Sequence, residues 1–244
     1  MDKGLTIATV SRGDYAGLCK TIDSITRQDD KTFDLVLVLS GYSKKELDSI
    51  RNRIRSVRFI EIEDNGQGIY PAMNLALRSS NSSHILFLNG GDSFFSEESV
   101  ALINRKLHSC SGDKNIAFSV CLNFQNSKYL RRACHKGRCL DPRVFYPPHQ
   151  GFVALVDQEN TFSPAHGSSG DTFWMKNQIN RHGCVYLNLI LSEFELGGVS
   201  NNPRNMINFK TQPFKNTLKY LLFRLVGEQN YYRVVYWISG FSEL

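Results

Sequence analysis

The chain has 244 residues with 29 basic and 23 acidic side chains, a formal charge of +6, and 41% hydrophobic residues. Those figures suit one globular domain with room for an appendage and exclude disordered and fibrous classes. No apolar run approaches the roughly 18 residues that span a bilayer, Leu5 to Val10 is too short for a secretory signal, and six scattered cysteines without a C-x-x-C pair suggest neither a disulfide framework nor a zinc ribbon, so a reduced, cytoplasmic setting is expected.

In chain order, Leu5 to Val10 is a short apolar run followed by Leu18, Ile22 and Ile25 at i, i+4, i+7, a strand and then an amphipathic helix. Phe33 to Leu39 is nearly continuous in apolar residues, as a strand covered on both faces should be, and Leu47, Ile50 and Ile54 repeat the helical spacing. Arg58 to Ile62 alternates as a third strand. A helix beginning near Tyr70 carries Met73, Ala76 and Leu77, and His84 to Leu88 is again a buried strand. Ser96 is the expected N-cap of the next helix, with Glu97 and Glu98 in its first turn and Val100, Ile103 and Leu107 on one face. Four strand-helix repeats predict an α/β fold with a mostly parallel, doubly wound, Rossmann-like sheet, because parallel neighbours need crossovers and helices supply them. Ligands of such sheets bind beyond the strand C-termini. That directs attention to Ser11 to Tyr15, Ser40 to Ser43, Glu63 to Tyr70 and Asn89 to Ser93.

Past Cys110, Ile116 to Leu122 and Lys128 to Ala133 read as a hairpin across Gln125-Asn126. A loop-rich stretch with Pro142, Pro147, Pro148 and Pro164 follows, then a short helix from Asp171 to Arg181, a strand from Cys184 to Leu191 and a turn at Gly197-Gly198. The expected organisation is residues 1–110 and 111–202 as two halves of one domain, with 203–244 as a C-terminal helical extension. Cys134, His135 and Cys139 are the nearest approach to a metal cluster and lack a fourth ligand.

Chemistry concentrates in two windows. Glu63-Asp64-Asn65-Gly66-Gln67-Gly68-Ile69-Tyr70-Pro71-Ala72-Met73-Asn74 leads a glycine-rich turn into a helix, and Phe87-Leu88-Asn89-Gly90-Gly91-Asp92 ends a strand in a carboxylate. Such a turn lets backbone approach a ligand and aims helix N–H groups at an anion, while the carboxylate can hold Mg2+ or Mn2+ against a diphosphate. An ordinary turn followed by an ordinary helix cap explains the same residues equally well.

The pattern G-I-Y-x-A-M-N followed by F-L-N-x-G-D resembles the family 2 glycosyltransferases of bacterial polysaccharide synthesis, in particular the colanic-acid and O-antigen subgroup. Leu5 to Thr9 and Ser24-Ile25-Thr26-Arg27-Gln28 resemble the family's opening strand and first helix, and Gly197-Gly198-Val199-Ser200 a late G-G-V-S segment, so residues 3–200 are covered. The resemblance implies a GT-A fold, a nucleotide-sugar donor, a divalent cation (Mn2+ or Mg2+) and inversion at the anomeric carbon. Position by position it implies Asp92 as metal ligand and Asp171 as catalytic base. It places Thr9, Ser11, Ser40, Asp64, Gly68, Asn74, Asn89, Gly91 and His149 around the nucleotide-sugar. Residues 1–110 then form the donor-binding half and 111–202 the acceptor-binding half. The plain alternatives are a helix N-cap for Asp171 and a loop histidine for His149.

Three positions depart from the pattern. Ser40-Gly41-Tyr42-Ser43 stands where relatives carry a base-recognising aspartate, Pro71 replaces the aspartate of G-I-Y-D-A-M-N, and Asn89 replaces the first aspartate of the metal motif. Proline is acceptable at Pro71 because the first helical turn has no N–H bond to lose. Two readings therefore stay beside the transferase: a nucleotide-sugar-binding relative without catalysis, and a sugar-phosphate nucleotidyltransferase, whose glycine-rich N-terminal loop Thr9 to Tyr15 does not supply.

Positive charge lies in two places. Residues 128–143 hold six basic side chains against Asp141, which suits a lid over a diphosphate or a solvated charge run. Residues 203–244 hold six against Glu228 and Glu243, together with 9 of the chain's 28 aromatic residues, about twice a proportional share. Phe214, Leu218, Leu221, Leu222 and Leu225 mark a helical apolar face flanked by Lys215, Lys219 and Arg224. That pattern suits the inner face of an anionic cytoplasmic membrane and an acceptor saccharide carried on a polyprenyl diphosphate. Packing on the chain's own domain or on a second copy in a homodimer is the alternative. No nucleic-acid module accompanies the charge, so a nucleic-acid partner is not expected.

Overall fold

Alternation along the first two strands decides the layering of the computed structural model, which describes residues 4–110, 113–124, 127–133, 147–195, 225 and 242–243. β1 (Leu5–Arg12) sends Leu5 and Ile7 to one face and Ala8 and Val10 to the other; β2 (Asp34–Ser40) divides Leu35, Leu37 and Leu39 from Val36 and Val38 in the same way. Both faces are apolar, so both must be covered. On the first lie α1 (Tyr15–Thr26), α2 (Lys44–Ile54) and α4 (Ser99–Ser109), through Leu18, Ile22, Ile25, Ile50, Ile54, Val100 and Ile103. On the second lie α3 (Ile69–Arg78) and α5 (Gly170–His182), through Ala72, Met73, Ala76, Leu77, Trp174 and Met175.

β3 (Phe59–Glu63) and β4 (His84–Phe87) complete a parallel set in the order β3-β2-β1-β4. Beyond β4 the sheet turns antiparallel, through β8 (Phe152–Leu155), β6 (Asn115–Phe124), β7 (Ser127–Arg131) and β10 (Ser242–Glu243). β9 (Cys184–Glu195) runs parallel to β6, with a register shift between Phe118 and Val120, and antiparallel to the two-residue β5 (Ser93–Phe94). The doubly wound, parallel arrangement is thus a property of the first four strands, and the second half is appended by antiparallel pairing.

Two expectations need correction. Helix α4 starts at Ser99 rather than at a Ser96 cap: Glu98 stands at the N-cap without a side-chain bond, and the Val100 N–H is satisfied by Gln28 Oε1 at 2.9 Å. The Ser96 N–H instead meets Ser99 Oγ at 3.2 Å. The start of the basic 128–143 stretch is not a lid, because Lys128 and Arg131 belong to β7 and Lys128 pairs with Glu193 at 3.1 Å. Its remainder, with Cys134, His135 and Cys139, lies outside the described residues, as do the Gly197–Ser200 turn and most of the C-terminal extension. Of the extension, Leu225 is helical and exposed, and Ser242–Glu243 form β10 on the edge of β7. Among the described residues no helix is long and apolar enough to cross a membrane.

The second face is held by an aromatic cluster. Trp174 on α5 is 2% exposed, stacked on Phe162 with centroids 4.4 Å apart and edge-on to Phe87 and Phe152 at 5.8 and 6.1 Å. Its indole N–H donates to Asn160 O at 2.8 Å, and Asn160 Nδ2 donates back to Trp174 O at 3.1 Å. Trp174→Ala should lower the free energy of unfolding in urea by about 3–5 kcal/mol. Phe173→Ala, at a 44% exposed neighbour, should cost no more than about 0.5 kcal/mol.

Candidate functional site

The sheet changes winding direction between β1 and β4: from β1 the chain winds outward to β2 and β3, then returns to place β4 on the other side. The crevice at such a point is where open α/β sheets bind ligands. Its floor is the turn Asn89 to Asp92. Leu88 and Gly90 N–H groups still bond to Ala8 and Val10 carbonyls, and then Asp92 N–H closes on Asn89 O at 3.0 Å. Gly91 has φ +99, which a side chain rarely tolerates. Thr21 of α1 pins this turn, its hydroxyl accepting the Gly91 N–H at 3.0 Å and lying 2.6 Å from Asp92 O.

Asp92 is buried, with Oδ2 accepting the Asn89 N–H at 3.2 Å. Burial pushes its carboxyl up to about 6, against the pull of the His149 charge and the Gln150 side chain. His149 and Gln150 come from a short 3-10 turn, His149–Gly151, ahead of β8. His149 Nε2 lies 3.2 Å from Asn89 Nδ2, and its Nδ1 lies 3.3 Å from Asp171 Oδ2. Burial would lower the imidazole pKa; the Asp171 hydrogen bond and the Asp171 and Asp92 charges outweigh it and leave it raised. Burial likewise works to raise Asp171, but the His149 contact, the Thr172 N–H and the Arg131 charge hold it below the usual carboxylate range. Asp171 is therefore ionised at neutral pH. It is not a helix cap: Ser169 holds the N-cap position, and Asp171 sits in the first turn with Oδ1 on the Thr172 N–H at 2.7 Å.

α3 reaches the same place. Tyr70 OH accepts the Gly170 N–H at 2.9 Å, and a Cβ on Gly170 would come within 2.7 Å of the Tyr70 ring, so glycine is required for this approach. Burial and then the Asp171 charge raise the Tyr70 pKa, keeping the phenol neutral beside the carboxylate. Gly68 stands at the N-cap of α3 with its carbonyl taking the Ala72 N–H, and Pro71 lies within that first turn, where no N–H is missed.

The expected site residues thus divide. Asn89, Gly91, Asp92, His149 and Asp171 come together around the crevice. Ser11, Ser40, Asp64 and Gly68 gather at the ends of β1, β2 and β3, where Ser11 Oγ is 2.6 Å from Tyr42 OH, Asp64 Oδ2 accepts the Gly66 N–H at 3.0 Å, and Arg12 donates to Gly66 O at 3.2 Å. Two are placed differently. Thr9 is fully buried in the sheet with its hydroxyl on Leu88 O at 2.8 Å, a joint between β1 and β4. Asn74 spends both ends of its amide on the backbone of Phe162, donating to its carbonyl and accepting its N–H, each at 2.8 Å. Thr21, Tyr70, Arg131 and Gln150 were not singled out as site residues; Tyr70 lay inside the motif, Gln150 beside His149 and Arg131 in the basic stretch, whereas Thr21 carried no signal beyond a hydroxyl on an apolar helical face.

Asn89 Oδ1 is a buried acceptor without a hydrogen-bond partner, three residues from the Asp92 carboxylate. Two hard oxygen donors fit Mg2+ or Mn2+ that takes its other ligands from a diphosphate and water. Among the described residues no group of three His, Cys, Asp or Glu could hold a metal unaided.

No protein-family model matches the chain. Over 84 residues it is 34% identical to the PGL/p-HBAD biosynthesis glycosyltransferase of Mycobacterium tuberculosis, a match covering 34% of this chain and 33% of that protein. In three dimensions it resembles S. aureus TarS 1-349 in complex with UDP, with TM-score 0.62 and 12% identity over 93% of this chain and 73% of TarS 1-349. It also resembles the mannosyltransferase PcManGT of Pyrobaculum calidifontis in complex with GDP-Man and Mn2+, with TM-score 0.58 and 12% identity over 89% of this chain and 61% of that one. The fold is GT-A. The crevice described above occupies the switch point of its sheet.

If Asn74 is a clamp rather than a ligand, Asn74→Ala should lower stability by about 2 kcal/mol, the cost of stranding buried backbone groups. Affinity for UDP or GDP with Mn2+, measured by calorimetry, should be unchanged. Lost nucleotide affinity at unchanged stability would return Asn74 to the ligand.

Proposed function

We propose that the chain is an inverting glycosyltransferase that moves a sugar from a nucleotide-sugar to a saccharide carried on a polyprenyl diphosphate, in the assembly of a bacterial surface polysaccharide. The observation that carries this reading is the ionised Asp171, joined through His149 to Asn89 on the turn that bears Asp92. A carboxylate able to take a proton and an oxygen set suited to a diphosphate-bound cation face one crevice.

In the reaction the acceptor hydroxyl oxygen attacks the anomeric carbon, the bond from that carbon to the diphosphate oxygen breaks, and its electron pair leaves with the nucleoside diphosphate. The hydroxyl proton passes to Asp171. General-base assistance of this kind contributes about 10²–10⁴ in rate. Asn89 and Asp92 would hold the divalent cation, which when bound supplies positive charge against the leaving diphosphate, on the order of several kcal/mol. Attack from the side of Asp171, opposite the leaving group, inverts the anomeric centre. The UDP and GDP-Man complexes of the structural neighbours support a nucleoside diphosphate donor, and the Mn2+ of one supports the cation. Ser11, Arg12, Tyr42 and Asp64 would take the nucleotide at the ends of β1 to β3, with no carboxylate at Ser40 to read the base.

The lipid-linked acceptor is supported by the basic, aromatic 203–244 segment, which would lie on the inner face of the cytoplasmic membrane. The test is to offer UDP-, GDP-, CMP- and dTDP-sugars with Mn2+ and a membrane lipid extract and to score sugar incorporation into lipid. Turnover with one donor is expected, with losses of about 10²-fold or more in Asp92→Ala and Asp171→Ala. Full activity in either variant removes that residue from the mechanism, and no incorporation from any donor favours a binding relative without catalysis.

A further inference from the structure

His149 has no nitrogen left for a ligand. Asp171 as a carboxylate can only accept, so the Nδ1 contact at 3.3 Å is a donation by the ring. Nε2 lies 3.2 Å from the Asn89 amide nitrogen, so both ring nitrogens are engaged within the protein. Asn89 Oδ1 is buried without a hydrogen-bond partner.

The ring is carried on a stiff support. The 3-10 turn closes through Gly151 N–H to Pro148 O at 3.0 Å, Gln150 O accepts from Ser192 Oγ at 2.6 Å, and a Cβ on Gly151 would meet Phe118 O at 2.5 Å. The turn is thereby wedged between β6 and β9. Asp171 in turn is held on both oxygens, by the Thr172 N–H and hydroxyl on Oδ1 and by His149 on Oδ2, and donors at fixed positions on both oxygens determine the plane of a carboxylate.

We propose that His149 is a positioning residue that aims the Asp171 carboxylate at the acceptor hydroxyl, with Asn89 holding the other side of the ring, so that the turn bearing Asp92 and the base form one chain of contacts, Asn89–His149–Asp171. The inference rests on the reading of Asp171 as the base. It assigns His149 away from the nucleotide-sugar.

Two measurements test it in the full chain. In steady-state transfer with the active donor, His149→Ala and His149→Gln should lower kcat by about 10–100-fold, the usual effect of a lost orienting partner, with KM for donor and acceptor unchanged. His149→Asn, whose amide nitrogen replaces Nδ1, should recover most of kcat. In 15N spectra of histidine-labelled protein without donor, His149 should show a protonated Nδ1. Wild-type kcat in His149→Ala, equal losses in His149→Asn and His149→Gln, or a bare Nδ1 overturns the inference. The control is Asp171→Asn. If it abolishes transfer while His149→Ala does not, only the positioning role falls; if it leaves transfer intact, the role of Asp171 as base falls and this inference with it.

Discussion

The packing of Trp174 is the contact on which the geometry of the site depends. The indole is stacked on Phe162 and edge-on to Phe87, and Phe87 is the last residue of β4. Two residues beyond Phe87 comes Asn89, and three residues before Trp174 comes Asp171. These aromatic contacts therefore hold the Asn89–Asp92 turn and the carboxylate on α5 in one packed unit. Each aromatic pair contributes about 0.5–1.5 kcal/mol beyond burial. Their sum matters less than their placement, since α5 carries Asp171 and has no strand ladder to fix it to the sheet.

Polar joints complete that fixation. Tyr70 holds the Gly170 N–H, Asn74 holds both backbone groups of Phe162, and Thr9 ties β1 to Leu88. Each satisfies a buried group that would otherwise cost free energy. The G-I-Y-x-A-M-N segment is thus largely a fastening: its tyrosine joins α3 to the start of α5, and its asparagine joins it to the backbone of Phe162. Residues that a motif brings to notice are as readily clamps as ligands.

That distinction marks how far the sequence could be read. Leu18, Ile22 and Ile25, or Leu35 to Leu39, declare helix and strand because their partners are any apolar surface, and all are buried where the periodicity places them. The carboxylates Asp92 and Asp171 are legible because a buried acid needs a reason. Asn74 and Thr9 are not, because an amide or hydroxyl does not disclose whether it faces a ligand or a backbone group 79 to 88 residues away. The same kind of separation defeats the Ser96 cap, whose task is done by Gln28, just past the end of α1. β5 and β8, of two and four residues, are too short for any period, yet they bind the second half to the first.

The account rests on the claim that Asp92 and Asp171 flank one reacting centre. The most direct test is a crystal structure of the Asp171→Asn protein with its nucleotide-sugar donor and Mn2+ bound. The claim predicts Mn2+ in direct contact with an Asp92 oxygen and the diphosphate, and the anomeric carbon lying between the diphosphate and residue 171. A diphosphate bound away from Asp92, or residue 171 on the same side of the sugar as the leaving group, would contradict it.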